Sequence, residues 1–331
     1  MEKIYRRVLG KQEVNFDQFR EDNNIYSPIE IDFLKQDLGI NRNDLFLIRE
    51  ISKHAQLIVT NNVADVSFLD ESYPKYAIEN LYKVNTYSVL ILYGLIKEYC
   101  VNNPLFVHTG TFFAGEGNNL YEDSKKKASS FLEKQNGNIL ELCPPIICGQ
   151  SEDGPNPYST INIDVPFVAM KTFYDSIKLN ITDGLVMNVD GEYSMNMVTV
   201  DKLASLMLEF IIKRSSISRT SFESISLIGK SGVSPQETVF ALIDIYNKLH
   251  NTSYPSDYIG IGSETRGLDE KQTQIAEKLF AYARRNSRRK VCDKLFSHIG
   301  VDYQIFYNQL YYLAIRNFRP KGKVVHVNRD Q

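Results

Sequence analysis

Between residues 29 and 149 the hydrophobic period of the chain switches repeatedly between about two residues and about 3.6. "IEIDFLKQDLGI" (Ile29 to Ile40) reads as a short strand running into a loop, and "DLFLIREISKHA" as a helix. "AQLIVTN" (Ala55 to Asn61) is a compact apolar run with polar flanks, which suits a buried strand. "YAIENLYKVNTYSVLILYGLIKEY" keeps apolar or aromatic residues at helical spacing over many turns, so it predicts one long buried helix. "PLFVHTGTFF" is then a strand and Gly115 to Asn119 a loop. "LYEDSKKKASSFLEKQN" is a helix with acids ahead of lysines, as its dipole favours, and Gly137 is a candidate stop. "NILELCPPIICG" is a strand that ends at prolines. Strand and helix in strict alternation imply right-handed crossovers and a parallel, doubly wound sheet, with ligands beyond the carboxyl ends of the strands.

The second half is less regular. "VTVDKLASLMLEFIIK" is a helix with Asp201 as a first-turn acid, and "SISLIG" a short strand. "SPQETVFALIDIYNKLH" is a helix that Ser234 can cap, with Pro235 at its first position and Glu237 three residues after the serine. From Asp269 the chain reads as helical almost to Pro320. The length of 331 residues suits one large α/β domain with a second lobe. We divide it as 1–232, of nucleotide-binding type, and 233–331, a helical substrate or lid lobe to which 155–193 contribute.

A formal net charge of −2 gives no global field that would draw nucleic acid. Cys100, Cys143, Cys148 and Cys292 form no CxxC pair and no cysteine–histidine cluster at metal spacing, so they read as buried thiols and no metal is expected. The first residues carry no secretory leader, and the apolar run near Ser88 is cut by Lys97 and Glu98, too short to span a bilayer. The cytoplasm is the expected compartment.

A tyrosine acts as general acid or base only if its environment tunes its proton, and a lysine one helical turn away does so by favouring the phenolate. Y-x-x-x-K occurs at Tyr93/Lys97, Tyr121/Lys125 and Tyr174/Lys178. Spacing alone means only a shared helix face. Context separates the three. Tyr93 lies inside a long apolar helix and reads as core, and Tyr174 sits in the less regular half. Only Tyr121 opens a helix after a strand, a hydroxyl-bearing turn and a glycine loop.

At this point the sequence resembles an extended short-chain dehydrogenase/reductase, above all the thioester reductase and fatty acyl-CoA reductase (male-sterility-type) branch. "IDFLKQDLGI" is similar to "GDL…LGL", "LIVTNNVADVSF" to "VIHNAAxVNF", and "YKVNTYSVLIL" to "xxVNVxGTxxL". "FVHTGTFFAG" is similar to "FVHVSTAYVxG", "YEDSKKKAS" to "YxxSKxxAE", "LCPPIICGQSEDG" to "xRPxxIxGxSxxG", and "MNMVTVDKLASLML" to "xDxVPVDxVAxAI". The segments keep their order from about residue 29 to 208; past Ser234 the resemblance is faint.

The resemblance implies an NADP- or NAD-dependent reductase of a thioester or acyl substrate, small or carrier-bound, with an acidic carrier protein as a possible partner. It implies that Tyr121 protonates the oxyanion, Lys125 lowers its pKa and contacts the ribose, Thr111 shares the oxyanion, and Asn85 holds a relay. It places the cofactor against Asp37, Asn62, Ala64, Lys125, Pro144 and Ile147. Four departures stand against it, one of them at the family's "HNAA", which is here Asn61–Asn62–Val63–Ala64. The family opens with a strand and a G-x-x-G-x-x-G turn that cradles pyrophosphate, whereas here only Gly10 precedes Gly39, so the first βα unit is missing or atypical. The "ST" pair is Gly110–Thr111, with Thr109 a nearby substitute hydroxyl, and the arginine of "RP" is Cys143. A non-catalytic partner or scaffold subunit is therefore the competing reading, and a sugar-nucleotide epimerase or dehydratase the alternative among enzymes.

"ARRNSRRKVCDK" gathers Arg284, Arg285, Arg288, Arg289 and Lys290 within two helical turns, either a docking patch or a solvated face. His108 sits mid-strand and reads as structural; His54 and His298 have no partner at metal spacing. "GKSG" (Gly229 to Gly232) lacks phosphate-loop spacing.

Overall fold

The computed structural model describes residues 32, 35, 38–65, 73–115, 119–149, 171, 173, 174, 177, 185–188, 195–217, 220–256, 258–262, 270 and 296–318. In chain order the elements are α1 (Arg42–His54), β1 (Ile58–Asn61), α2 (Lys75–Tyr82), a π-helical turn (Lys83–Tyr87), α3 (Ser88–Tyr99), β2 (Leu105–Thr109), a 3₁₀ turn (Phe112–Gly115), α4 (Leu120–Glu133), β3 (Asn138–Cys143), β4 (Ile146–Cys148), β5 (Leu185–Asn188), β6 (Met197–Thr199), α5 (Val200–Ser215), β7 (Phe222–Ser226), α6 (Pro235–His250), β8 (Ile259–Gly262) and α7 (Tyr303–Asn317). The chain forms two compact units, Met1–Pro144 with Leu206–Ser226, and Pro145–Ser205 with Leu227–Gln331. The expectations for Asp37 and for the arginine patch at 284–290 fall outside the described residues; of the helix expected from Asp269 almost to Pro320, the described part is helical over Tyr303–Asn317, whereas residues 296–302 form a turn between bridges at Phe296 and Gly300.

The first unit holds a four-stranded, all-parallel sheet in the order β1-β2-β3-β7. β2 and β3 are its interior strands, and every residue from Asn138 to Cys143 is buried. Such strands read as apolar runs because both faces are covered. One core cluster sets Ala128 and Leu132 of α4 and Val89 and Tyr93 of α3 against Phe106 and Ile139 of the sheet. α1 starts where the Asn41 side chain accepts the Asp44 N–H, and α4 where Asn119 accepts the Glu122 N–H, so both helices begin on side-chain caps.

Three expectations change in detail. The single long helix is α2, a π-turn and α3. The apolar spacing runs through unbroken, so the wider turn, which buries Asn85 and Thr86, left no mark in the pattern. The strand "NILELCPPIICG" is two strands: Pro144 and Pro145 have no N–H to donate, β3 stops at Cys143, and β4 pairs elsewhere, with β6. Gly137 does not end α4, which closes at Glu133 with Lys134 as its cap. Its lack of a side chain serves packing instead, since a Cβ there would collide with the Tyr93 hydroxyl oxygen.

The second unit is built on α6 and α7. Ser234 and Glu237 form the expected capping box, and Pro235 takes the first turn. Phe306 and Leu310 of α7 and Leu242 and Ile245 of α6 share a core with Met195, Met197 and Cys148. Two short parallel strand pairs, β4–β6 and β5–β8, accompany the helices.

Candidate active site

Because the sheet is parallel, Asn61, Thr109 and Cys143 bring their strands to one edge. The segments leaving that edge are Asn62–Asp65, Gly110–Thr111 and Pro144. The 3₁₀ turn after Thr111 is pinned where the Phe112 N–H donates to the Pro144 carbonyl at 2.9 Å. Thr111 is buried, and its hydroxyl is hydrogen-bonded to the Tyr121 phenol. Tyr121, in the first turn of α4, is half-buried. Lys125, one turn on, is only 2% exposed and donates from Nζ to the Thr109 carbonyl at 3.2 Å. Tyr121, Thr111 and Lys125 thus meet at the end of β2.

The other expected residues are placed differently. Asn85 is fully buried in the π-turn. Its Nδ2 donates to the Asp65 carbonyl at 2.8 Å and to the Ser124 hydroxyl at 3.0 Å, and its Oδ1 accepts the Asp65 N–H at 2.8 Å. Ser124 in turn donates to the Tyr121 carbonyl at 2.7 Å. The amide therefore fixes the loop after β1 to the first turn of α4, and reaches Tyr121 through that backbone rather than through Lys125. Asn62 and Ala64 are exposed at the end of β1, where the Thr109 hydroxyl donates to Asn62 Oδ1 at 2.6 Å. Pro144 is buried at the end of β3; Ile147, 45% exposed, belongs to β4 of the second unit. Tyr93 is core, edge-on to Phe106 and Phe131. Tyr174 is buried in the second unit with its hydroxyl 2.8 Å from His250 Nε2.

Electrostatics sharpen the picture. Burial pushes the Tyr121 phenol up to about 12, against the Thr111 hydrogen bond and with a further push from Glu122. Burial thus outweighs any pull from Lys125, and the phenol stays protonated. Burial draws Lys125 down to about 8, opposed by Cys143 and Glu141. The Cys143 thiol is itself driven up by burial and stays neutral, so the negative charge facing Lys125 is the Glu141 carboxylate. His108 is held well below its ordinary value by burial, with Lys125 adding to the effect. Its two ring nitrogens and Asn61 Nδ2 are buried with no hydrogen-bond partner among the described residues.

Glu141 is the site residue that the sequence did not disclose. It lies 3% exposed within the apolar strand "NILELC". Ser129 of α4 donates to Oε1, and Ser224 of β7 donates to Oε2 at 2.7 Å. Asn61, His108, Glu141 and Ser224 stand in one register row across the four strands. A glutamate amid apolar residues was the one signal available. A hollow of about 220 Å³ lined by Tyr93, Cys100, Phe106 and Gly137 adjoins Pro104 and Asn138, at the amino-terminal end of the strands, and contains none of these site residues.

The chain is an α/β protein of Rossmann-like fold, with hydroxyl, phenol and ammonium groups gathered at the carboxyl edge of its parallel sheet. Among solved structures it is similar to the terminal reductase domain of the myxalamid PKS-NRPS biosynthetic pathway. The identity is 15%, over 93% of this chain and 83% of that one, with a TM-score of 0.57. It is also similar to the UDP-Glc/GlcNAc 4-epimerase of Campylobacter jejuni (12% identity, 92% and 88% covered, TM-score 0.49) and to the UDP-glucuronic acid 4-epimerase of Bacillus cereus (12%, 87% and 80%, 0.47). The reductase-domain likeness establishes a shared fold. No family model and no curated protein matches the sequence. Among the described residues, no helix is long and apolar enough to cross a membrane and no cluster of metal-ligating side chains occurs.

Proposed function

We propose that the chain is a reductase of the short-chain dehydrogenase/reductase type, acting with NADP or NAD on an acyl thioester, small or carrier-bound. The observation that carries this reading is the hydrogen bond between Thr111 and Tyr121 at the strand edge, with Lys125 one helical turn away. The ordered resemblance of residues 29–208 and the fold shared with a reductase domain support it.

The described residues fit the reacting half of a nicotinamide site. Asn62, Ala64 and the Thr109 hydroxyl lie along the open edge beside Lys125, and they would hold the nicotinamide ribose there. When bound, the nicotinamide would supply a hydride to the carbonyl carbon, and the C–S bond of the thioester would afterwards break to release the thiol. Charge first develops on the carbonyl oxygen. Tyr121 holds a proton that it gives up only to a strong base, and a developing alkoxide is one. Thr111 donates to the same oxygen and orients the phenol. Lys125 supplies positive charge on the face that must carry the phenolate left behind. Burial of Thr111 and Lys125 strengthens both effects by excluding water.

A second reading, a non-catalytic relative, has one observation in its favour: the Lys125 ammonium is already engaged by the Thr109 carbonyl. Titrating NADPH and NADH against the purified full chain, followed by nicotinamide fluorescence, separates the two. The reductase reading expects saturable enhancement for at least one of them; no response at millimolar cofactor would refute it for this chain.

A further inference from the structure

We propose that Glu141 is the positioning residue for Lys125: a buried carboxylate, clamped by Ser129 and Ser224, that occupies the space left open by Gly110 and balances the ammonium of the Tyr121–Lys125 pair.

Four observations carry the proposal. First, Glu141 and Lys125 are both almost fully buried, 3% and 2% exposed. A buried charge is tolerated only when another charge or a set of hydrogen bonds compensates it. Second, the carboxylate is held from two sides. Ser129 lies four residues beyond Lys125 on the same face of α4; its one hydroxyl proton goes to Glu141, and its Oγ lies 3.1 Å from the Lys125 carbonyl, which sets the serine over the lysine's own turn. Ser224 holds the other oxygen from β7 at 2.7 Å. Third, a Cβ built on Gly110 would lie 2.9 Å from Glu141 Oε1 and 2.8 Å from Cys143 Sγ. Glutamate and thiol thus fill the place where the resemblance expects a hydroxyl side chain. Fourth, Gly110 follows Thr109, whose carbonyl receives Lys125 Nζ, so the carboxylate stands beside the ammonium's anchoring point.

Among the described residues, the titratable groups that act on Lys125 are His108 on β2 and Glu141 and Cys143 on β3, with Tyr121 one turn back on its own helix. His108 and Cys143 are held neutral by burial, and Tyr121 keeps its proton, which leaves Glu141 as the charge that answers the lysine. Without it, burial would draw Lys125 further below its ordinary value.

The inference rests on the proposed reductase reading only for its effect on turnover; the charge relation is measured without any reaction. Lys125 is followed by NMR in the full chain labelled at lysine side-chain carbons, its signal assigned by loss in Lys125→Arg. In Glu141→Gln both serines keep a hydrogen-bonding partner and only the charge goes. Lys125 should then lose its proton at a pH lower by at least about one unit, a tenfold change in acidity. Ser224→Ala, which loosens the carboxylate without touching α4, should move it in the same direction by less, and this variant decides the matter if Glu141→Gln does not fold. An unchanged Lys125 titration in the folded variants would overturn the proposal. A shift found in a chain that binds no NADPH or NADH would leave Glu141 in this role and remove the reductase reading. Cofactor binding without the shift would do the reverse.

Discussion

The tyrosines of α3 and α4 share one spacing and have opposite fates. Tyr93 and Lys97, and Tyr121 and Lys125, each sit four residues apart on a helix beside the same sheet. On α3 the tyrosine goes inward and packs edge-on to Phe106 and Phe131, while Lys97 is exposed. On α4 the lysine goes inward, 2% exposed, and the tyrosine remains half-buried and hydrogen-bonded to Thr111. Spacing put each pair on one face; the depth of each side chain decided its chemistry. Burying an ammonium is the costlier arrangement, and we infer that the Glu141 carboxylate, held by Ser129 and Ser224, offsets that cost.

The contrast can be broken most severely at Gly110. A serine there would meet the Glu141 carboxylate and Cys143 Sγ inside 3.0 Å. Gly110→Ser should cost about 1–3 kcal/mol by urea unfolding. Gly94, around which nothing lies within 4 Å of an added Cβ, should accept serine with little change. Equal stabilities for the two variants would mean that the space at Gly110 is not filled as described.

His108 gives a pH test of the same buried row. Its folded pKa is depressed, so the unfolded chain takes up a proton near pH 6.5 that the folded chain refuses. The sign follows: as pH falls below about 6.5 the unfolded state binds more protons and stability drops. His108→Leu removes two ring nitrogens that have no partner among the described residues, and should flatten that acid-side loss while leaving stability at pH 8 unchanged or improved. An acid limb as steep as the wild type's would show that another group governs it. The smallest effect lies far from the pair: Ser234→Ala, which breaks the capping box of α6, should cost about 1 kcal/mol by thermal unfolding without altering the Lys125 titration.

What could be read in the sequence is what depends on near neighbours. The alternation of periods located β1, β2, β3 and α4, and Ser234, Pro235 and Glu237 announced the start of α6 because a capping box spans three residues. The contrast among the three Tyr–Lys spacings was also legible, since the strand and hydroxyl turn ahead of Tyr121 are contiguous with it. The π-turn was not, because one wide turn leaves the apolar stripe of α2 and α3 in phase. Glu141 was not, because the groups that make sense of it, Ser129 and Ser224, are 12 and 83 residues away and meet it only through the sheet. The rise of the Tyr121 pKa was missed for the same reason: burial is a tertiary property, and the sequence suggested only the lysine nearby.

If the chain is the proposed reductase, Tyr121, and not a tyrosine of equal spacing, gives the proton. The direct measurement is NADPH consumption by the full chain on an acyl thioester, compared across wild type, Tyr121→Phe and Tyr93→Phe. Tyr121→Phe should lose at least about a hundredfold in turnover with cofactor affinity nearly unchanged, and Tyr93→Phe should stay within about twofold of wild type. Full activity in Tyr121→Phe, or an equal loss in both variants, would contradict that role for Tyr121.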